Sequence, residues 1–342
     1  MKFVFTADIH LSRYGQDEIN DHTGLPERIS GIKNTLYQMA DYCKQNNIST
    51  MVIGGDIYHT KSIIYSMAQE ILGDFIDAYP TLCFIILDGN HDLSDKGVDA
   101  ISSLKVLAKY KNVMFVSHKD TLKLENILFV PYSKNLANII SEGNSDILIS
   151  HFGLSEGMLN SGISIVSEIG MKNLIGKYKV VLLGHYHKPQ EIINDSIKLY
   201  YVGSPIQLDW GEKGDEKRFL VVDSTTLKIE SVPTIGYKKH IELEINTENK
   251  TQILKEAKLV KDRGDYVKLI KTDSVTLDKK FEDFNVVDKS EKDVTDRGVS
   301  STMSQDQRMK RYLEIKKIDE SLHAEYLGIG LNIIEKVEKE AA

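Results

Sequence analysis

Cysteine, proline and tryptophan are scarce: two, six and one in 342 residues. Cys43 lies in a helical pattern (LYQMADYCKQ) and Cys83 in an apolar strand (LCFIIL), so both read as small core residues. Two thiols this far apart exclude a disulfide scaffold and a thiolate zinc site. No apolar run reaches the roughly 18–20 residues of a membrane span, so no membrane partner is expected. The opening MKFVFTADIH turns polar too soon for a signal peptide, which points to the cytoplasm. A basic surplus is also missing: 43 Lys+Arg against 50 Asp+Glu leave a net charge of −7. That excludes a protein gripping nucleic acid by a broad basic face alone. It does not exclude one whose positive charge comes from bound cations.

What is present is an alternation of apolar strands and helices over residues 1–235. The strand KFVFT precedes a helix with Ile32, Leu36, Met39, Ala40 and Cys43 at three-to-four spacing. The strand TMVIGGDIYH, a helix over 66–79, the strand LCFIILDGNHD and a helix over 98–110 follow. Closely spaced strands then run to about residue 233: VMFVS, ILFVPY, DILISHF, VVLLGHYH, KLYYVGSP, RFLVVD and KIESVP. Fully apolar strands predict sheets covered on both faces, with a second, more antiparallel sheet packed on the first. After Pro233–Gly236, residues 236–284 read as a small strand–helix–strand unit. Residues 285–302 are polar and aperiodic and read as a linker. Residues 303–342 read as two amphipathic helices, one carrying Met309, Leu313 and Ile318, the other Leu322, Tyr326, Leu331, Ile334 and Val337. Their core is too small to stand alone, so the stripes are expected to dock on something.

Chemistry gathers at the strand ends. Asp8 and His10 end the first strand, and Gly55-Asp56 the second, with His59 just beyond. Asn90, His91 and Asp92 end the third, and His151, His185 and His187 close two later ones. Six of the ten histidines lie at these points. Ligands of α/β sheets collect beyond the carboxyl ends of strands. Carboxylate, imidazole and amide oxygen together suit Mn, Fe or Mg. Two such ions about 3.5–4 Å apart can activate water and stabilise a phosphoryl group in flight. The period-two alternation of a strand predicts that both ligands of D-x-H, and both of H-x-H, point to one side. A lone D-x-H or GNHD arises by chance or as a turn. The five motifs in order, each behind an apolar strand, carry the signal.

In these motifs (D-x-H, GD, GNHD, H and GHxH over residues 8–187) the sequence resembles the calcineurin-like metallophosphoesterase superfamily. The resemblance implies a four-layer α/β/β/α sandwich of two mixed sheets with a small α+β capping domain and C-terminal helices. It implies two divalent ions, manganese first, with magnesium or iron as substitutes. Asp8, His10, Asp56 and His187 would hold one ion, and Asp56, Asn90, His151 and His185 the other. His91 would act on the leaving oxygen, oriented by Asp92. GGDIYHT and YYVGSP resemble the SbcD/Mre-type nuclease branch in particular, which makes His59 a second substrate-facing histidine. That branch implies a Mn-dependent DNA nuclease, exonuclease on duplex ends and endonuclease on single strands, acting in DNA end processing, recombination and repair. It would work as a homodimer joined through its C-terminal helices to an SbcC-type coiled-coil ATPase. The dimer contact would fall on helices 66–79 and 98–110, at Ile71, Leu72, Phe75, Ile101, Leu104 and Leu107. Arg13, Tyr14, Lys188 and Lys213 read as solvated loop positions. Two other functions share the same residues: a metallophosphatase or cyclic-nucleotide phosphodiesterase, and a non-catalytic scaffold, although no expected ligand position is broken.

Overall fold

The computed structural model describes residues 1–14, 18–61, 63–162, 164, 166–277, 284–289 and 303–340, without the side chains of 305 and 332–340. The chain runs β1 (Lys2–Thr6), α1 (Glu27–Gln45), β2 (Thr50–Ile53), α2 (Ser66–Ala78), β3 (Cys83–Leu87) and β4 (Val113–Val116). Then come β5 (Leu122–Leu124), β6 (Ile127–Val130), α3 (Leu136–Glu142), β7 (Ile147–His151), β8 (Val180–Gly184), β9 (Gln190–Ile193) and β10 (Lys198–Tyr201). The strands β11 (Arg218–Asp223), β12 (Lys228–Pro233) and β13 (His240–Ile245) lead to α4 (Lys250–Asp262), β14 (Tyr266–Lys271) and β15 (Asn285–Asp288). The helices α5 (Gln305–Ile315) and α6 (Glu320–Glu340) follow.

Two compact units result. Met1–Ile241 with Gly264–Tyr266 form the first; Glu242–Arg263 with Val267–Ala342 form the second. The first unit holds two six-stranded mixed sheets, in the orders β12-β11-β1-β2-β3-β4 and β5-β6-β7-β8-β10-β9. Phe3, Phe5, Val52 and Ile85 of one sheet pack against Phe129, Ile147, Val180 and Leu182 of the other, all buried. The outer face of the first sheet is covered by α1 and α2 through Ile32, Leu36, Met39, Leu72 and Phe75. The outer face of the second is covered by α3 and its neighbouring loops through Leu136, Ile140, Phe152 and Leu174. This is the four-layer sandwich. Each fully buried Leu, Ile or Phe contributes about 1.5–3 kcal/mol of apolar burial, which is why both inner and outer sheet faces read as unbroken apolar runs.

Several expectations change. The helix expected over 98–110 is a 3-10 segment, Ser103–Lys109, started by Ser102, whose side chain accepts from Leu104 N–H. Residues 98–102 are not helical because Ser94 and Leu93 bridge to them instead. The edge strands β5 and β9 and the short α3 carry no clear pattern, since edge positions are half exposed and lose the apolar signature. Asn285–Asp288, read as the start of a linker, pair in parallel with β14. The remaining linker positions from 290 to 302 lie outside the described residues. Ile71, Leu72, Phe75, Leu104 and Leu107 are buried in the monomer core, and of the expected dimer face Ile101 alone is open, at 73 % exposure. Both cysteines are free thiols, Cys43 buried and Cys83 half-buried.

In the second unit, the sheet order is β13-β14-β15, and α4 buries Leu254, Ala257 and Val260. Ser304 caps α5 in a capping box with Gln307. Met309 of α5 lies against Gly330 of α6. Tyr312, Leu322, Tyr326, Ile329 and Leu331 stay exposed at 38–51 %.

Candidate metal centre

β7 reaches its ligand, His151, but the other strands stop short of theirs. β1 ends at Thr6 and β8 at Gly184, so strand alternation does not aim Asp8, His10, His185 and His187. Backbone turns do. Asp8, His10 and Asp56 adopt φ near +50° and His185 φ +93°. Four non-glycine residues in the left-handed region each carry strain on the order of 1–3 kcal/mol. Hydrogen bonds hold them there: Asp8 N–H donates to Gly55 O at 3.0 Å and His10 N–H to Asp56 O at 3.0 Å. At Gly55, φ is +98°, and a Cβ would strike His151 and Gly89. A Cβ on Gly89 would strike the backbone nitrogen and carboxylate of Asp56.

The result is a shared cluster. Asp56 Oδ2 lies 3.3 Å from His151 Nε2 and 3.7 Å from His10 Nε2. His187 Nε2 is 2.9 Å from His10 Nε2. Asn90 Oδ1 is 3.1 Å from His151 Nε2 and 2.9 Å from His185 Nδ1. Asp8 lies 4.0 Å from His151 and accepts His185 N–H at 2.9 Å. Three triplets have ligand atoms within 4.8 Å of one another: Asp8, His10 and His187; Asp8, Asp56 and His151; and His10, His59 and His91. The chain thus brings all seven expected ligands, together with His59 and His91, into one pocket floor and rim. Nitrogen and carboxylate donors without thiolate fit hard or borderline divalent ions.

The outer ring nitrogens are committed. His151 Nδ1 donates to Gly54 O at 2.8 Å, which leaves Nε2 facing the cluster. His187 Nδ1 donates to the Glu212 carboxylate at 2.8 Å, with the same consequence. Such second contacts fix the tautomer and orientation of a metal-binding imidazole. Glu212 is anchored in turn by Ser204 Oγ at 2.9 Å, Leu208 N–H at 3.0 Å and the buried Lys217 ammonium at 2.8 Å. Lys217 also donates to His187 O at 2.8 Å. Sequence reading missed both residues. LDWGEKGDEKR offers several acids and lysines and nothing local to single out these two.

Asp92 does not orient His91. Its carboxylate accepts four backbone N–H groups, from Asp56 at 2.8 Å, Gly89 at 2.9 Å and Ile57 and Tyr58 at 3.1 Å each. It therefore ties the loop after β2 to the loop after β3. The His91 ring is set by the His59 carbonyl, which accepts from Nδ1 at 2.6 Å, and the two rings stack with centroids 5.9 Å apart. Tyr14 is no solvated loop residue either. Its hydroxyl donates to His10 O at 2.7 Å, its ring lies 5.2 Å from that of His59, and the Arg28 guanidinium sits 4.1 Å above it.

Charge in the cluster is tightly coupled. Burial alone would raise the Asp56 carboxyl, but the charge and hydrogen bond of His151, then His10, hold it well below the usual range. Asp8 is pushed up by burial, against the pull of His151 and His187. Burial would lower His151, yet Asp56 and Asp8 lift it to about 9. His187 is lifted against burial by Glu212. His185 falls to about 4 through burial and the charge on His151, and His10 falls through burial.

The sequence profile of the calcineurin-like phosphoesterase family matches residues 1–189. Exonuclease subunit 1 of Enterobacteria phage T4 is 29% identical over 250 residues, 68% of this chain and 68% of that protein. Phosphoesterase 244L of Invertebrate iridescent virus 6 is 26% identical over 237 residues, 65% of this chain and 76% of that protein. Solved structures overlap more loosely. A dimetal phosphatase from Danio rerio aligns at 11% identity with a TM-score of 0.41, over 68% of this chain and 99% of that one. The nuclease MPE of Pseudomonas putida aligns at 13% identity with a TM-score of 0.34, over 67% of this chain and 87% of that one.

Proposed function

Because this chain belongs to the calcineurin-like phosphoesterase family and is a metal-dependent phosphoesterase, we propose that its substrate is DNA and that it is a Mn-dependent nuclease of the SbcD type. The observation that carries this reading is the His59–His91 pair standing over the ligand cluster, in a chain 29% identical to a phage exonuclease subunit. In this reading Asp8, His10, Asp56 and His187 hold one ion, and Asp56, Asn90, His151 and His185 the other. Two divalent ions there would supply Lewis acidity and an activated water. The protein's own part is positioning. Gly54 O and Glu212 turn the Nε2 atoms of His151 and His187 inward. His91, with Nδ1 committed to His59 O, presents Nε2 to the leaving oxygen of the phosphodiester. His59 faces the substrate beside it, and Asp92 keeps both loops in register.

The exposed stripe Tyr312, Leu322, Tyr326, Ile329 and Leu331 supports docking of α5 and α6 on the coiled coil of an SbcC-type ATPase. Self-association in this reading uses the segment where Val98, Ile101 and Val106 stay 50–73 % exposed. The deciding assay offers the purified chain linear duplex DNA, single-stranded DNA and p-nitrophenyl phosphate with Mn, with and without the ATPase subunit. DNA cleavage that exceeds phosphomonoester turnover is expected. Turnover of the monoester with DNA left intact would make it a phosphatase and end the nuclease reading.

A further inference from the structure

Apart from the ligand cluster, the first unit holds a second candidate site. Its cavity of about 270 Å³ has a lining that includes Asp99, His118, Lys119, Ser133 and Lys134. These residues follow β3, β4 and β6, so the cavity opens at the same carboxyl edge of the sheets as the ligand cluster. At about 30 Å³ per water, it has room for a phosphodiester group.

Two polar atoms of these lining residues have no hydrogen-bond partner among the described residues. His118 Nε2 and Ser133 Oγ are buried and make no hydrogen bond among the described residues. His118 is 9 % exposed. Each such atom is destabilising until something bonds it. The ring is nonetheless held firmly. Asp88 Oδ2 accepts His118 N–H at 2.8 Å and faces Nδ1 at 3.2 Å, while Asp88 Oδ1 accepts Ser102 Oγ–H at 2.5 Å. Asp88 O also accepts Tyr132 N–H at 2.9 Å, which stitches the Ser133 loop to the strand that delivers Asn90 and His91. With Nδ1 turned to Asp88, the opposite ring edge is the one left for an occupant. Lys119 and Lys134 add positive charge at the mouth. Asp99 is the carboxylate in the lining; it is fully exposed and paired with Lys119 at 3.5 Å.

We propose that this cavity is a phosphate subsite, where His118, Ser133 and Lys134 take a backbone phosphate of the strand one or two linkages from the one being cut. The assignment rests on the nuclease reading. Ser133 donates its hydroxyl to one phosphate oxygen. A second oxygen sits within hydrogen-bond reach of His118 Nε2.

The test compares the parent with His118→Gln, Ser133→Ala and Lys134→Ala on a short labelled oligonucleotide and on bis(p-nitrophenyl) phosphate, which carries no second phosphate. In each variant the ratio of kcat/KM on oligonucleotide to kcat/KM on the small diester should fall about ten-fold, the worth of one hydrogen bond to a charged group. The fall should appear mainly in KM. Ser133→Ala breaks no hydrogen bond among the described residues, so it reads the site even if His118→Gln disturbs folding. A neutral methylphosphonate walked along the oligonucleotide should cost the parent as much at one linkage and cost Ser133→Ala nothing further there. An unchanged ratio, or a walk on which parent and variant agree at every linkage, overturns the subsite and leaves the nuclease reading intact. A parent that cleaves the small diester but no DNA overturns both. If inorganic phosphate raises the melting temperature of metal-free parent but not of Ser133→Ala, with oligonucleotide kinetics unchanged, the occupant is free phosphate and the assignment to the strand is wrong.

Discussion

The floor and the rim of the metal centre differ in how they are held. Asp8, Asp56 and His151 are 0–2 % exposed, and their backbones are bent into left-handed turns or end a fully buried strand. His59 and His91 are more open and meet each other face to face, set by a carbonyl. A buried carboxylate is expensive without a positive partner, so the floor is built to be neutralised, by protons or by cations. The rim carries little such cost and is free to meet substrate. The difference separates a buried carboxylate–imidazole floor from a more open pair of histidines.

The largest effect that would break this comparison is at Asp56. Asp56→Asn removes the carboxylate shared by His10 and His151. Activity should fall to background and elemental analysis should find both ions lost; a variant that keeps two ions would show that Asp56 is not shared. His91→Ala should instead keep its full metal content while kcat falls about 10²–10⁴-fold, the range of a lost proton-transfer group. Parent-like turnover in that variant would put His91 outside the chemistry. Glu212→Gln should lower metal affinity about 10–100-fold, as expected for an outer carboxylate on a ligating imidazole, and titration calorimetry would read it. An affinity equal to the parent's would reduce Glu212 to a packing role.

The mildest test is pH. His151 is raised to about 9 in the metal-free site, so below that value it holds a proton that a cation must expel. A raised group keeps its proton as pH falls, hence affinity for manganese should drop as pH goes from 9 towards 6, by about ten-fold per unit for each proton displaced. Calorimetry in buffers of different ionisation enthalpy would count the protons. Flat affinity over that window would mean that His151 is already neutral.

The legibility of the two layers differs for a physical reason. Asp8, His10, Asp56, Asn90, His151, His185 and His187 could be read because each follows an apolar strand, and a strand end is a local pattern. Glu212, Lys217 and Tyr14 could not, because their roles consist of contacts with partners far away in the chain or around a turn. Asp92 was recognised and misassigned for the same reason: adjacency to His91 suggested one partner, and folding supplied four others. Period-two alternation failed at D-x-H since β1 stops at Thr6 and the turn, not the pleat, aims the ligands.

Residue order alone determined the alternating apolar segments, the family and the set of Asp, Asn and His side chains that cluster, because these are encoded within stretches shorter than one element. The tertiary structure decided which nitrogen of each imidazole faces the cluster, which carboxylates neutralise it from behind, and that His118 and Ser133 share a cavity. Those are properties of atoms brought together from separate strands, and hydrogen bonding and burial act only once that convergence has happened.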